Sequence, residues 1–239
     1  MKKVDLNVDI GEGFPHDEAL LEFATSANIC CGEHAGSWDL TTQTIDMCLR
    51  KGTRIGCHPG FPDRENFGRR IPPPQQWETY MSSVTEQIHR FDRVHLFSYI
   101  KPHGALYNIL CSRKPEEDGF SQRAQNLLVG KLMIEWLFDR SNRAIMLLGG
   151  SKISKVYELA RMPVISEGFA DRRYRRDRTL VPRSEPNAVL ARKSEITKQV
   201  LRLAPKVDSI CLHGDTPNCL EFAELVDKTL IDAGYEVGY

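Results

Sequence analysis

The chain has 239 residues, and its 32 Lys and Arg balance its 32 Asp and Glu, so the formal net charge is zero. A general nucleic-acid binder would carry a basic excess to neutralise phosphates, so we expect no nucleic-acid partner. Hydrophobic residues make up 41% and charged residues 27% of the sequence, which is too mixed a composition for a disordered chain. A chain of this length can bury a sufficient core without disulfides.

The seven cysteines are odd in number and include no CxxC pair of the kind used for zinc or redox chemistry. Lys2 and Lys3 are followed by Asp5 and Asp9 rather than by an apolar segment, so we expect no signal peptide. No apolar run approaches the roughly eighteen residues that a membrane span needs. We therefore expect reduced thiols, a cytoplasmic location and no membrane partner.

Short apolar or β-branched runs predict seven strands, at residues 4–10, 26–30, 53–57, 96–101, 144–148, 163–166 and 209–213. Between them, residues 39–51 predict a helix ending at Gly52, and an apolar stripe from Trp77 to Ile88 predicts another. Thr216 and Pro217 predict the N-cap and first turn of the last helix. This alternation indicates one α/β domain over residues 1–239, with a parallel sheet that is either open and doubly wound or closed into a barrel.

The first predicted strand carries an unusual polar face. Asp5, Asn7 and Asp9 alternate with apolar residues, so all three point to the same side of the strand. Parallel strands are covered on both sides and are normally apolar, and burying an unpaired carboxylate is costly. We interpret this face as a wet, functional interior, with a solvated edge strand as the alternative.

Four of the seven histidines have a glycine within the next two residues, and all four stand at or just beyond the end of a predicted strand. They are His34, His58, His103 and His213. The carboxyl ends of parallel strands form the active-site face of such folds, and glycine there lets backbone approach a ligand. Capping histidines in turns are the alternative. Further polar or ionisable residues near these ends are Asn28, Lys101, Glu167, Asp171 and Asp215. Such a set suits general acid–base catalysis or metal-assisted hydrolysis.

Arginines cluster after the third and the sixth predicted strand. Arg70 ends the first group, and Arg172 begins a loop that also holds Arg183. Clustered guanidinium groups bind carboxylate or phosphate oxygens through paired hydrogen bonds, although a solvated loop is the alternative for most of them. No P-loop, dinucleotide fingerprint or GxSxG elbow is present, so the chain shows no standard nucleotide site.

Seven groups of residues resemble the LamB/YcsF family and occur in the family's order. They are residues 5–12 (DLNVDIGE), 26–36 (SANICCGEHAG), 55–60 (IGCHPG) with 67–70 (FGRR), 101–108 (KPHGALYN), 167–172 (EGFADR), 180–183 (LVPR) and 211–217 (CLHGDTP). Together they extend over essentially the whole chain. Three positions depart from the family pattern, because Arg178 and Asn187 stand where glycine is usual and Glu33 stands where glycine or an aromatic residue is usual.

The resemblance implies both a fold and a reaction. The fold is a single-domain, seven-stranded β/α barrel of the glycoside hydrolase/deacetylase type, in agreement with the seven predicted strands. The reaction is the ATP-dependent hydrolysis of 5-oxo-L-proline to L-glutamate, with ADP and phosphate as the other products. The family acts with 5-oxoprolinase subunits B and C, and we expect these partners to account for the use of ATP.

The residues and the resemblance together give a hypothesis for the site. The catalytic candidates are Asp9, Glu12, His58, Lys101, His103 and His213. A carboxylate and a histidine from this set activate water or protonate the leaving nitrogen. Lys101, with Arg70 or Arg172, neutralises the oxyanion or the phosphoryl group. The substrate-binding candidates are Asn7, Asn28, His34, Arg70, Glu167, Asp171, Arg172 and Asp215.

Two other functions are compatible with these residues. The first is a metal-dependent amidase or carbohydrate deacetylase on the same barrel, with a divalent metal held by Asp9 and by His58, His103 or His213. The spacing of these residues matches no specific metal-binding motif. The second is a regulatory protein that only binds 5-oxoproline. Loss of the ionisable residues at the strand ends would mark such a protein, and here they are present.

Overall fold

Seven parallel strands close into a barrel in the computed structural model, which describes residues 1–114, 121, 125–126 and 143–239. The strands are β1 (Lys3–Ile10), β2 (Ser26–Cys30), β3 (Arg54–His58), β4 (Tyr99–Ile100), β5 (Ala144–Leu148), β6 (Val164–Phe169) and β7 (Ser209–His213). Each strand pairs with the next, and β1 pairs with both β7 and β2, which closes the ring. A two-residue strand, β8 (Glu236–Val237), pairs with the start of β1. The barrel alternative is therefore confirmed, and the open doubly wound sheet is wrong.

The helices of the described residues follow the strands along the chain. They are α1 (Asp17–Leu20), α2 (Trp38–Lys51), α3 (Trp77–Val94), α4 (Gly104–Cys111), α5 (Lys152–Leu159), α6 (Lys193–Leu203) and α7 (Cys219–Asp232), with 3-10 turns at Arg64–Asn66 and Pro74–Gln76. The prediction for α2 is confirmed, since the left-handed Gly52 ends it at φ 70°. Within the described ranges, no helix has both the length and the apolar character that crossing a bilayer would require.

Three elements differ from their predicted bounds. Strand β4 has two residues instead of the predicted six, and Lys101 therefore lies just past its end. Strand β6 continues to Phe169, so Glu167 lies inside it. Helix α7 begins at Cys219 because Asn218, at φ 64°, occupies the N-cap position predicted for Thr216.

The alternation along β1 separates an apolar layer from a polar barrel interior. Leu6 and Val8 belong to the main buried apolar cluster. On the opposite face, Asn7 Oδ1 accepts a hydrogen bond from Lys101 Nζ at 3.2 Å. Because β1 and β4 are not neighbours in the ring, this contact crosses the interior. The polar face of β1 therefore points into the barrel interior, and the alternative of a solvated edge strand is wrong.

Two of the glycines near the histidines make room for neighbouring loops rather than for a ligand. Gly104, at φ 57°, follows His103, and a Cβ at this position would lie 2.4 Å from the backbone oxygen of Gly68. A Cβ on Gly60 would lie 2.5 Å from the ring of His34. The loops at the carboxyl ends of the strands therefore pack directly on one another, which holds the histidines in place.

Candidate active site

The ammonium group of Lys101 is the centre of the polar interior. Its Nζ lies 2.7 Å from Asp9 Oδ1 and 2.9 Å from Glu167 Oε1, and it lies 3.0 Å from Cys211 Sγ. All four residues are buried. Since Asp9, Glu167 and Cys211 come from β1, β6 and β7, one cation links three strands to the end of β4.

Asn28 contacts the Asp9 carboxylate directly, and Asn7 links Asn28 to Lys101. Asn28 Nδ2 donates to Asp9 Oδ1 at 2.8 Å and to Asn7 Oδ1 at 2.7 Å, while Asn28 Oδ1 accepts from the Tyr99 hydroxyl at 2.7 Å. Asn7 Nδ2 donates to Ser209 Oγ at 2.7 Å. Both asparagines are fully buried. Their contacts thus position Asp9 and Lys101.

Three imidazoles and one carboxylate form a second group beside Asp9. His58 Nε2 lies 2.9 Å from His103 Nδ1, and Glu12 Oε1 lies 3.6 Å from His103 Nδ1 and 3.4 Å from His34 Nε2. The rings of His34 and His103 are stacked, with centroids 3.8 Å apart. His58 Nε2 also lies 3.5 Å from Asp9 Oδ2, so the two groups are adjacent.

His213 and Asp171 form a separate pair at the end of β7. His213 Nδ1 lies 2.9 Å from Asp171 Oδ1, and Thr216 Oγ1 donates to Asp171 Oδ2 at 3.1 Å. The His213 ring stacks on Phe169 and its Nε2 lies 3.9 Å from Asp9 Oδ2. Because Nδ1 faces a carboxylate, Nε2 is the nitrogen available for proton transfer.

These groups open onto a cavity of about 450 Å³ at the carboxyl ends of the strands. Arginines form part of its wall. Arg69 and Arg183 both pair with Asp215, at 2.7 and 2.9 Å, while Arg172 is buried and Arg70 is exposed. Buried nitrogens of Arg172 (Nε) and Arg183 (Nη2) have no hydrogen-bond acceptor among the described residues. The rim can therefore receive an anion.

The charges of the site shift the pKa values of its carboxyl groups in opposite directions. Burial would raise the pKa of Asp9, but the charge of Lys101 and the adjacent His58 outweigh it and hold that pKa well below its ordinary value. Burial and the charge of Asp9 raise the pKa of Glu12 well above its ordinary value. Burial opposes ionisation of Asp171 as well, but His213 lowers its pKa to about 2. Asp9 and Asp171 are therefore anions at neutral pH.

The predicted site residues occupy two shells around the cavity. Those in its wall are Asp9, His58, Arg70, Lys101, His103, Arg172 and His213. Those outside the wall are Asn7, Glu12, Asn28, His34, Glu167, Asp171 and Asp215. The prediction missed Tyr107, which donates to Glu167 Oε2 at 2.9 Å, and it missed Arg69 and Cys211. Alternation along β7 could have revealed Cys211, which shares a face with His213.

Two groups of side chains have the donor atoms to hold a metal ion. The first is Glu12, His34, His58 and His103, and the second is Asp9, Cys211 and His213. In each group the candidate ligand atoms all lie within 4.8 Å of one another. The second group already surrounds a cation, because the ammonium of Lys101 contacts both Asp9 and Cys211.

A closed parallel barrel with carboxylates, imidazoles and a lysine around a cavity at the carboxyl ends of its strands is the architecture of a β/α-barrel enzyme. The profile of one family, LamB/YcsF, matches residues 4–238. The chain belongs to the LamB/YcsF family.

Relatives and solved structures agree with this membership. The chain is 38% identical over 257 residues to the A subunit of 5-oxoprolinase from Neisseria meningitidis serogroup C, with 99% of each chain covered. It is similar to the crystal structure of a lactam utilization protein from Thermus thermophilus, with a TM-score of 0.73 and 29% identity over 100% of this chain and 99% of that one. A family 4 carbohydrate esterase from Streptomyces lividans matches with a TM-score of 0.51 and 12% identity, over 100% of this chain and 92% of that one. This last likeness concerns the fold alone.

Proposed function

We propose that the chain is the A subunit of an ATP-dependent 5-oxoprolinase, which opens the ring of 5-oxo-L-proline to give L-glutamate and acts in the cytoplasm with B and C subunits. The names of its relatives support the reaction class. One structural observation carries the proposal. The ionised carboxylate of Asp9, the ammonium of Lys101 and the side chains of Arg172 and Arg183 line one cavity of about 450 Å³, within the range of small-molecule sites.

The chemistry of a lactam explains the need for ATP. Its carbonyl carbon is a poor electrophile, and transfer of the terminal phosphoryl group of ATP to the carbonyl oxygen activates it, releasing ADP. Water then adds to this carbon, and the ring C–N bond breaks as its nitrogen takes up a proton. A second water hydrolyses the resulting acyl phosphate to glutamate and phosphate. The protein must therefore move protons and stabilise negative charge on oxygen.

His213 and Asp171 are suited to the proton transfers. The Asp171 carboxylate accepts the Nδ1 hydrogen of His213, so that Nε2 carries a lone pair facing the cavity. This nitrogen takes a proton from the attacking water and returns it to the ring nitrogen as the C–N bond breaks. Thr216 donates to Asp171 and helps to hold the carboxylate in this orientation.

Lys101 and the arginines are suited to stabilising the negative charge on substrate oxygens. The Lys101 ammonium lines the cavity and stabilises the negative charge on the lactam oxygen and on the phosphoryl group as that group is transferred. Arg172 and Arg183, with their unpaired buried donors, hold the substrate carboxylate or the transferred phosphoryl group. In this proposal Arg69 and Arg183, both bound to Asp215, join Arg70 in the cavity wall. Asn28 positions Asp9 and Asn7 positions Lys101, rather than substrate.

The test combines the chain with its B and C partners, ATP and 5-oxo-L-proline, and measures glutamate and ADP. We expect both products in equal amounts from the complete mixture, and no glutamate when this chain is omitted. If the complete mixture of folded subunits formed no glutamate, the proposal would be wrong.

Substituting Asp9 tests the site within this assay. Asp9→Asn removes the negative charge beside Lys101 and His58 but keeps the shape of the side chain, and we expect turnover to fall by roughly a hundredfold or more. The matched control is Asp46→Asn, an exposed position on α2, which should retain normal turnover. Near-normal turnover of Asp9→Asn would exclude Asp9 from the catalytic set.

A further inference from the structure

The hydrogen-bond partners of His58 and His103 determine which ring nitrogens of this pair carry a hydrogen. His58 Nδ1 lies 2.6 Å from the backbone oxygen of Lys101, and His103 Nε2 lies 2.9 Å from the backbone oxygen of Phe67. A carbonyl oxygen only accepts hydrogen bonds, so each of these outer nitrogens carries a hydrogen. In a neutral imidazole the other nitrogen then has only a lone pair.

The two inner nitrogens consequently face each other as acceptors. His58 Nε2 and His103 Nδ1 are 2.9 Å apart, a separation at which two lone pairs repel each other unless a positive charge lies beside both. Both rings are buried, and their planes are nearly perpendicular, at 88°. The pair therefore requires a bound cation, either an extra proton or a metal ion.

The carboxylate of Glu12 distinguishes a metal ion from a proton. Its Oε1 lies 3.6 Å from His103 Nδ1, is buried, and has no hydrogen-bond donor among the residues that the structure describes. A proton shared by the two rings would leave this oxygen facing His34 Nε2 at 3.4 Å and His103 Nδ1 at 3.6 Å, both longer than an ordinary hydrogen bond. A metal ion beside both nitrogens would bind the oxygen as well, and it would satisfy three otherwise unpaired atoms.

We propose that Glu12, His58 and His103 bind one divalent transition-metal ion. Each histidine donates its outer N–H to a backbone carbonyl, the arrangement that orients metal-binding imidazoles in proteins. Two imidazoles and one carboxylate favour first-row ions such as Zn²⁺, Fe²⁺ or Co²⁺ over Mg²⁺ or Ca²⁺. At about 2.1 Å from each nitrogen, such an ion would see the two at roughly a right angle.

His34 is not a fourth ligand in this arrangement. Its ring stacks on His103 with centroids 3.8 Å apart and planes within 5° of parallel. Because a metal binds in the plane of an imidazole, two parallel stacked rings cannot both direct a lone pair at one ion. Access to the site is from the cavity, whose wall includes His58 and His103.

The test measures metal binding by the isolated full-length chain, without partners or ATP, so its outcome is independent of the proposed function. Chelator-treated protein is titrated with Co²⁺, and binding is followed by visible absorption and counted by elemental analysis. We expect one Co²⁺ per chain, displaced by Zn²⁺ but not by the same concentration of Mg²⁺. Folded wild-type protein that binds no Co²⁺, or that binds Mg²⁺ equally well, would overturn the proposal.

Two substitutions remove a ligand while keeping the hydrogen bond behind it. In His58→Asn the amide can still donate to the Lys101 carbonyl, and in His103→Gln it can still donate to the Phe67 carbonyl. We expect both to weaken Co²⁺ binding roughly tenfold or more, whereas the exposed control His89→Gln should bind normally. Binding unchanged in both folded variants would exclude the site.

A measurement on wild-type protein covers the case in which the variants fail to fold. The ¹⁵N resonances of the inner nitrogens of His58 and His103 should shift when Zn²⁺ is added to the stripped chain. If these resonances stayed those of a shared proton at saturating Zn²⁺, the pair would hold a proton and no metal.

Discussion

Lys101 supplies the positive charge of the site and also holds its carboxylates together. Its ammonium is buried and contacts carboxylates from two different strands. Burial lowers the pKa of a lysine, but the charge of Asp9, with the neighbouring Cys211 and Glu167, outweighs this and raises the pKa of Lys101 well above its ordinary value. The residue is therefore a permanent cation.

Replacing Lys101 by Met should destabilise the protein as well as inactivate it. The substitution leaves the buried carboxylates of Asp9 and Glu167 without their cation, and loss of one partner of a buried ion pair typically costs about 3–5 kcal/mol. The free energy of unfolding from denaturant titration measures this cost. The exposed Lys152→Met is the control and should change it little. A loss in Lys101→Met no greater than in the control would show that the contacts do not stabilise the fold.

Asp171 should give the protein a pH-dependent stability at low pH. Its pKa is about 2 in the folded protein and about 3.9 in an unfolded chain, so the unfolded chain takes up the proton first as the pH falls. The contribution is nearly complete above about pH 4, is lost as the pH falls towards 2, and amounts to about 2.6 kcal/mol.

Comparing the pH dependence of two variants isolates this contribution. The free energy of unfolding of Asp171→Asn should fall less steeply than that of the wild type between pH 4 and pH 2. Asp232→Asn, on the exposed end of α7, should follow the wild type. Equal slopes for Asp171→Asn and wild type would contradict the depressed pKa.

At the scale of the element, the strand-end loops depend on unusual backbone conformations. Gly104 begins α4 directly after His103 and packs against Gly68 of another loop. Two residues other than glycine also have positive φ angles in these loops, with Arg178 at 71° and Asn187 at 60°. The loops thus keep a left-handed backbone at these positions even with larger side chains.

Gly104→Ala should disturb the loop that carries His103. The added methyl group would meet the Gly68 oxygen at 2.4 Å and would also make the φ of 57° unfavourable, which together should cost about 2 kcal/mol or more of unfolding free energy. Gly52→Ala is a matched control, because it has a φ of 70° but open space around its Cβ. Thermal unfolding compares the two. An equal loss in both would mean that the contact with Gly68 contributes nothing.

The sequence predicts the strands better than it predicts the partners of their side chains. Alternation along β1 correctly indicates that Asp9 faces the interior, because a period of two is a local property. It does not indicate that Lys101 reaches Asp9 across the barrel, since residues 92 positions apart meet only when the ring closes. The prediction of Thr216 as a helix cap is wrong for the same reason, because its partner Asp171 lies 45 positions away.

At the scale of the whole molecule, metal binding should be coupled to stability. A ligand that binds only the folded chain stabilises it by about 2.7 kcal/mol at a hundred times its dissociation constant, and for a protein of this size this corresponds to an increase in Tm of roughly 5–10 °C. We expect this increase in Tm when Zn²⁺ is added to the chelator-treated wild type. We expect no such increase in His103→Gln. Thermal unfolding that does not respond to Zn²⁺ in the wild type would argue against a site on the native barrel.

Because β4 has only two residues, the barrel wall has its shortest strand pairings there. Tyr99 and Ile100 pair with β3 and with β5, and the flanking Ser98 and Lys101 each donate one further backbone hydrogen bond to β3. Lys101 follows immediately, and its ammonium contacts the carboxylates of Asp9 and Glu167 across the barrel interior. If β4 separates from its neighbouring strands, the contacts of Lys101 with Asp9 and with Glu167 break together. The closed barrel wall and the arrangement of the catalytic residues therefore depend on the same contacts, and the rate of amide hydrogen exchange at Tyr99 and Ile100 should report on both.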